Sequence, residues 1–316
     1  MSDKKIIAVV GATGAQGGGL VRAILNNPDG PFRARAITRD INSEKAKALA
    51  AAGAEVVEAN VADLASLERA FAGAYGAYCV TFFWDHFSPE KEKADAMNMA
   101  EAAKNAGIAH AIWSTFEDVR LHVPLSDTRM PTLNGSYKVP HFDSKAEANQ
   151  FFIERAIPTT FLLTSFYWEN LIYFGMGPKP GPDGTLGITY PLGDKKMPSV
   201  ASDDIGKFAY GIFERGQEFV GKTVGVAGEH LTGAQMAASL SRALGKEVRY
   251  NSVSPDMFRS FGFPGADDMG NMFQFKADFE ELYCSARDLA LVRELNPSVL
   301  TFDQWLEKNV SRIPMD

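Results

Sequence analysis

Gly11, Gly14 and Gly17 fall at i, i+3 and i+6 in the run GATGAQG. Residues of this type at this spacing suit the binding of a pyrophosphate. The first glycine permits a tight turn, the second lets backbone approach a phosphate, and the third lets a helix pack closely on a strand. The amides of Ala15, Gln16 and Gly17 then stand at a helix N-terminus, where the dipole favours an anion. The next apolar run ends in Ala36-Ile37-Thr38-Arg39-Asp40. A carboxylate at such a place holds the ribose 2′-hydroxyl of NAD, whereas a guanidinium grips the 2′-phosphate of NADP and stacks on adenine. Thr38 and Arg39 come first, which favours NADP(H) over NAD(H). Asp40 would serve NAD(H) if the strand ended one residue later.

A glycine pattern alone is weak evidence and needs a strand before it and a helix after it. Residues 6–10 are a β-branched run suited to a strand buried on both faces, and 16–26 reads as the helix. Further strands are expected at 32–38, 54–58, 78–83, 108–114 and 160–164. Helices are expected at 43–52, stopped by Gly53, from Asp63 as N-cap to 71, and at 89–106, stopped by Gly107. This alternation implies right-handed crossovers and an α/β fold, a doubly wound parallel Rossmann sheet. After about Tyr173 the texture changes. Residues 175–187 read as a Gly/Pro-rich loop, and Thr232/Gln235 and Thr301/Gln304 read as capping boxes. The expected organisation is a dinucleotide-binding domain over 1–173 and a smaller C-terminal α+β lobe over 174–316. The lobe would close over the strand ends, and some of its segments would return to the main sheet.

The bulk composition narrows the function. The chain has 316 residues, 46% of them hydrophobic, enough for a large buried core. A net charge of −7 without a basic run argues against direct nucleic-acid or anionic-membrane binding. Cys79 and Cys284 are too few for a disulfide framework. The opening residues run into the first strand without a secretory signal, so a soluble, cytoplasmic protein is expected. Cys79 reads as a small hydrophobe in a strand. The histidines do not fall at metal-ligand spacing, and no G-x-S-x-G elbow appears, so neither a metal site nor a serine hydrolase is expected.

The runs GATGAQGG, Thr38-Arg39-Asp40, VTFFW, HFDSK, FYWENL, FGFPGADDMGNMF and LNPSVLTFDQWLE together resemble the NmrA-like atypical short-chain dehydrogenases. Within them the resemblance points to the NADP(H)-sensing HSCARG type, over nearly the whole chain. It implies that the glycine loop, Thr13 included, and Arg39 bind the pyrophosphate and the 2′-phosphate. It implies that Asp63 and Leu64 lie near adenine. Thr81, Phe82, Phe83, Lys145 and Tyr167, Trp168, Glu169 and Asn170 would surround the nicotinamide half. For Glu169 and Asn170, structural hydrogen bonding is an equal reading, and packing is an alternative for Phe82, Phe83, Trp84 and Phe87.

The chain departs from the oxidoreductase pattern in one place. Ordinary short-chain dehydrogenases carry Tyr-x-x-x-Lys on a helix, the tyrosine as acid and the lysine holding the ribose. The matching pair here is His141 and Lys145, whose i, i+4 spacing puts both on one helix face. His141 is either a substitute proton donor or a surface or supporting histidine. The missing tyrosine favours a sensor of the NADPH/NADP+ ratio that reports to a regulatory protein partner. The retained lysine keeps open an NADPH-dependent oxidoreductase acting on a small carbonyl, quinone or enone. A homodimer is also left open.

Overall fold

The strand that precedes the glycine loop, β1 (Lys5–Val9), is buried at four of its five positions. That is the mark of a strand covered on both faces. The computed structural model describes residues 4–315. The chain divides into two units, neither of them continuous in sequence. The first takes in the chain up to Asp118, with His141–Thr164 and Asp203–Val224; the second takes in Val119–Pro140, Ser165–Ser202 and the chain from Gly225 on.

In the first unit β1 is followed by β2 (Phe32–Thr38), β3 (Glu55–Glu58), β4 (Gly76–Cys79), β5 (His110–Thr115) and β6 (Thr159–Leu163). The sheet order is 3-2-1-4-5-6, extended beyond β6 by Thr223–Gly225. The pairs β1·β2, β1·β4, β2·β3, β4·β5 and β5·β6 are all parallel. This is the doubly wound Rossmann order. The chain leaves β1 outward in one direction and returns to build in the other, which makes the carboxyl ends of β1 and β4 the switch point where such sheets take ligands.

The helices are α1 (Ala15–Leu25), α2 (Glu44–Ala51), α3 (Leu64–Phe71), α4 (Pro89–Asn105) and α5 (Pro140–Glu154). Side-chain caps start three of them: Ser43 accepts from the Ala46 amide, Asp63 from Ala65 and Ser88 from Lys91. On α4 the buried positions include Glu92, Ala96, Met99, Ala100 and Ala103, the stripe of an amphipathic helix. Ala96, Met99, Ala100 and Ala103 join Val10, Leu67, Phe71, Cys79, Trp113 and Phe152 in one core. Cys79 is a packed hydrophobe, and burial pushes its thiol up to about 12.

The fourth strand is shorter than expected. It ends at Cys79, and Phe83–Asp85 forms a 3-10 turn instead. The reason is the ladder. On the β1 side the ladder ends at the Val9–Tyr78 pair, so residues 80–83 have no partner there; on the β5 side the last pair is Cys79 with Trp113, although β5 itself runs on to Thr115.

The helix Ser202–Arg215 reaches α1 through two glycines. A β-carbon on Gly206 would stand 1.9 Å from the Leu20 amide nitrogen, and one on Gly19 would stand 2.5 Å from the Asp203 carbonyl oxygen. Arg22 Nε donates to Asp203 Oδ1 at 3.0 Å beside this crossing.

The second unit carries two small sheets. One orders Glu229–Thr232, Lys196–Val200 and Phe166–Tyr167; the other orders Val248–Ser252, Leu186–Tyr190 and Lys179–Pro180. The segment expected as loop over 175–187 therefore contributes strand residues at both ends of a tight turn, with Lys179 opposite Gly187. Both expected capping boxes are present, on Gly233–Leu244 and Phe302–Asn309. Among the described residues no helix is long and apolar enough to cross a membrane.

Two predictions follow from this packing. Gly206→Ala should lower stability by about 3 kcal/mol or more, because helix backbone stands in the way of the new methyl. A thermal melt within a degree or two of the wild type would contradict the crossing. The second prediction concerns His110 on β5, which has 0% exposure. Its Nε2 lies 2.8 Å from Thr160 Oγ1, whose hydroxyl donates to the Phe219 carbonyl. The ring therefore donates to Thr160, and burial pushes its pKa down to about 4. Unfolding raises it to about 6.5, so the unfolded chain binds the proton first. The stability held above that value is lost as pH falls toward the folded value. Between pH 7.5 and 5 the wild type should lose about 2 kcal/mol more than His110→Leu. Parallel urea melts of the two proteins at both pH values check this.

Candidate functional site

The glycine loop leaves β1 through Gly11, which has a φ of +66°, and closes with the Gly14 amide donating to the Gly11 carbonyl at 2.9 Å. Gly14 is the N-cap of α1 and supplies no side-chain hydrogen bond, and the first turn carries no acidic residue. The helix thus opens bare, and the first-turn amides of Ala15 and Gly17 precede any helical carbonyl that could accept from them. A β-carbon on Gly17 would stand 2.5 Å from Gly11 O and 2.8 Å from Val10 O. Only glycine brings the helix start this close to the strand end. The Ala12 amide donates to Ile37 O at 3.2 Å and ties the loop to β2. Thr13 is half-buried within the loop. The Tyr78 hydroxyl of β4 donates to Gln16 Oε1, linking α1 across the switch point.

Arg39 follows β2, and its side chain is 72% exposed. It lines an open cleft of about 350 Å³ together with Glu58, Ala59, Asn60, Asp63, Ser66 and Arg69. Arg69, on the last turn of α3, went unnoticed in the sequence. Asp63 lines the cleft while its Oδ1 accepts from the Ala65 amide at 3.1 Å, and Leu64 is the half-buried first residue of α3. The Asp40 carboxylate accepts from the Asn42 amide at 2.8 Å, which makes it the acid of the turn before α2. On the far side Arg39 Nη1 stands 3.3 Å from Asp85 Oδ2.

Beyond β4 lies a buried polar cluster that the sequence showed only in part. Lys145 Nζ is 2.5 Å from Glu92 Oε1 and donates to the Thr81 carbonyl at 3.3 Å. It also donates to the Thr81 hydroxyl, which in turn donates to Glu92 Oε1. His86 Nε2 lies 3.4 Å from Glu92 Oε2. The Ser88 amide donates to His86 Nδ1 at 3.0 Å, so in the neutral ring Nε2 carries the proton toward Glu92. The ammonium also sits 5.3 Å from the Trp113 ring centroid. Burial pushes the Glu92 carboxyl up, but the Lys145 charge, with hydrogen bonds from His86, Lys145 and Thr81, outweighs it and holds the group down to about 2. Glu92 is therefore held as a carboxylate against the Lys145 side chain.

His141, one helical turn before Lys145, is 5% exposed. Four rings surround it: Trp84 and Phe142 at 4.7 Å, Phe116 at 5.9 Å and Phe83 at 6.0 Å between centroids. The expected trio at the end of β4 takes three different places. Thr81 joins the lysine cluster, Phe83 packs in this aromatic group, and the Phe82 ring is exposed.

Tyr167, Trp168, Glu169 and Asn170 belong to the second unit. Tyr167 and Asn170 are half-buried. Trp168 is fully buried against Phe302 and Trp305 at 5.3 and 6.1 Å. Glu169 accepts from the Ser202 amide at 2.8 Å and from Trp305 Nε1 at 3.0 Å. Within that unit the Glu169 carboxylate thereby holds the Ser202 amide and the Trp305 side chain.

Glu92 and His86 were missed for different reasons. In PEKEKAD, Glu92 looks like one solvated charge among several, yet it falls four residues before Ala96 and seven before Met99 on the buried stripe. His86 carries no local sequence signal.

Known proteins share both the sequence and the fold. Residues 3–306 match the model of the NmrA-like family. An NmrA-like family domain-containing oxidoreductase of a Cladobotryum species is 29% identical over 284 residues, covering 85% of this chain and 83% of the relative. NmrA, a negative transcriptional regulator, has been crystallised with NADP and with NAD. Both structures superpose with a TM-score of 0.78 at 24% and 23% identity, over 97% of this chain and 95% of the regulator. Triphenylmethane reductase of a Citrobacter species, complexed with NADP(H), superposes with a TM-score of 0.71 at 20% identity, over 96% of this chain and 99% of the reductase. With the doubly wound sheet, the bare helix start and a family match that runs nearly end to end, the chain belongs to the NmrA-like family.

Proposed function

We propose that this protein binds NADP(H) along the carboxyl ends of the first unit's strands and responds to its redox state with little or no turnover. The observation that carries the binding is the cradle at Gly17. A β-carbon there would meet Gly11 O at 2.5 Å, so backbone amides and no side chain stand where a pyrophosphate fits. The surrounding residues fit the rest of the group. Gly11, Thr13, Gly14, Ala15, Gln16 and Gly17 would hold the pyrophosphate. Arg39, with Asp63 and Leu64, would hold the adenosine 2′-phosphate end. Thr81, Phe82, Phe83 and Lys145 would face the nicotinamide end.

A bound nicotinamide carries a positive charge when oxidised and none when reduced. Lys145 and Glu92 form an ion pair in a buried setting, where electrostatic differences are large. A ring that changes charge beside them is held with a different affinity in its two forms, and differential affinity is what a sensor needs. A regulatory protein partner would read the difference.

Low turnover follows from the donors. Carbonyl reduction leaves an alkoxide that needs a proton, and a placed acid contributes roughly 10²–10⁴-fold. The position four residues before Lys145 holds His141, which is boxed by aromatic rings. The Lys145 protons are directed at Glu92 and Thr81. The second reading, an NADPH-dependent oxidoreductase acting on a small carbonyl, quinone or enone, draws support from the retained lysine and from relatives named as oxidoreductases.

Arg39→Ala should weaken NADP+ binding by about tenfold to a hundredfold and leave NAD+ nearly unchanged, the loss of one charge-assisted contact of about 1.5–3 kcal/mol. Calorimetry checks this, and equal affinity of the wild type for both cofactors would sink the preference. NADPH oxidation over a panel of quinones, enones and aldehydes should be slow or absent. Limited proteolysis should distinguish the NADPH-bound from the NADP+-bound protein. Fast turnover that collapses in His141→Ala would establish the reductase and remove the sensor.

A further inference from the structure

The sheet order places β1 between β2 and β4. Arg39 follows the end of β2, and Asp85 closes the 3-10 turn after β4. Their contact, Arg39 Nη1 to Asp85 Oδ2 at 3.3 Å, therefore bridges the carboxyl edge across the end of β1, beside the glycine loop. Both side chains are more than half exposed, at 72% and 56%, so the pair is open to solvent and to an incoming ligand. Two other acids near Arg39 are engaged: Asp40 closes its own turn and Asp63 caps α3, while Glu58 lines the same cleft as Arg39.

We infer that Asp85 is a specificity-determining residue: its carboxylate competes with the 2′-phosphate of NADP(H) for the Arg39 guanidinium and so narrows the difference in affinity between NADP(H) and NAD(H). This rests on the reading that Arg39 holds that phosphate. A phosphate monoester carries between one and two negative charges near neutral pH. When it arrives at the guanidinium fork, the carboxylate either yields its ion pair or remains as a like charge beside the phosphate. Both routes cost NADP(H) affinity. NAD(H) offers a neutral hydroxyl at the same position and meets neither cost. Exposed ion pairs are weak and screened by salt, so the effect is modest. Asp85 thus keeps the site open to both dinucleotides, where an unpaired arginine would commit it to the phosphorylated one.

The test titrates NADP+ and NAD+, with the fragments 2′,5′-ADP and 5′-AMP, into the wild type, Asp85→Asn, Arg39→Ala and the double variant. Thermal melts of each protein confirm the fold. Asp85→Asn should bind NADP+ and 2′,5′-ADP about three- to fivefold more tightly and NAD+ and 5′-AMP within twofold of the wild type. The gain should shrink at high salt and vanish when Arg39 is also absent. If Arg39→Ala loses NADP+ affinity while Asp85→Asn leaves it unchanged or weaker, the competition is refuted and the Arg39 assignment stands. Equal tightening of NAD+ would also refute it. If the wild type binds both dinucleotides alike and Arg39→Ala changes neither, the assignment beneath it falls as well.

Discussion

The start of α1 lies directly against the carbonyls of Val10 and Gly11 in the first unit. A single methyl group at Gly17 would stand within 2.8 Å of three backbone atoms there. Everything proposed for the site depends on this contact. It sets the first helical turn over the end of β1, and it leaves the helix amides without side-chain caps. It also fixes the distance from the loop to the ends of β2 and β4, where Arg39 and Thr81 stand. A larger residue would push the helix outward, and the polar groups would no longer converge on one edge.

A second constraint acts inside the fold. Lys145 and Glu92 are charges taken out of water, and such a pair offsets its desolvation only when the remaining hydrogen-bonding positions are filled. Thr81 supplies a carbonyl and a hydroxyl, and His86 stands at the second carboxylate oxygen. The cluster thereby fastens the end of β4, the turn after it, α4 and α5 to one another within the first unit. Removing either charge alone would strand the other, typically at a cost of about 3–5 kcal/mol.

Much of this architecture is legible in the sequence because it is local. The β-branched run before the glycine loop, the Asp63 cap, and the stops at Gly53 and Gly107 each act through a few neighbouring residues. The two capping boxes of the second unit are of the same kind. The end of β4 is not legible, because it depends on where β1, a strand distant in sequence, stops pairing with it. The role of Glu92 is partly legible, since its spacing to Ala96 and Met99 marks an inward face although its residue type suggests solvent. Arg69, His86 and Asp85 reach the site only through tertiary placement, and no periodicity marks them. His141 and Lys145 are correctly paired on one helix face by their spacing. The aromatic box around one and the carboxylate beside the other come from elements distant in sequence.

The crossing of Gly19 and Gly206 has a consequence for how the chain is made. The first unit takes its helix and its edge strand from residues 203–224, far beyond the segments that form its first six strands. On the ribosome, α1 is synthesised long before the backbone it must pack against. Contacts of such sequence separation are slow to form, and domains generally complete as units during synthesis. Until residue 224 has emerged, the nascent first unit carries an unpaired edge at β6 and an uncovered face on α1. The segment between, which contributes to the second unit, is in effect an insertion in the sequence of the first. Both units are therefore tied to one folding schedule, and neither can be finished before most of the chain exists.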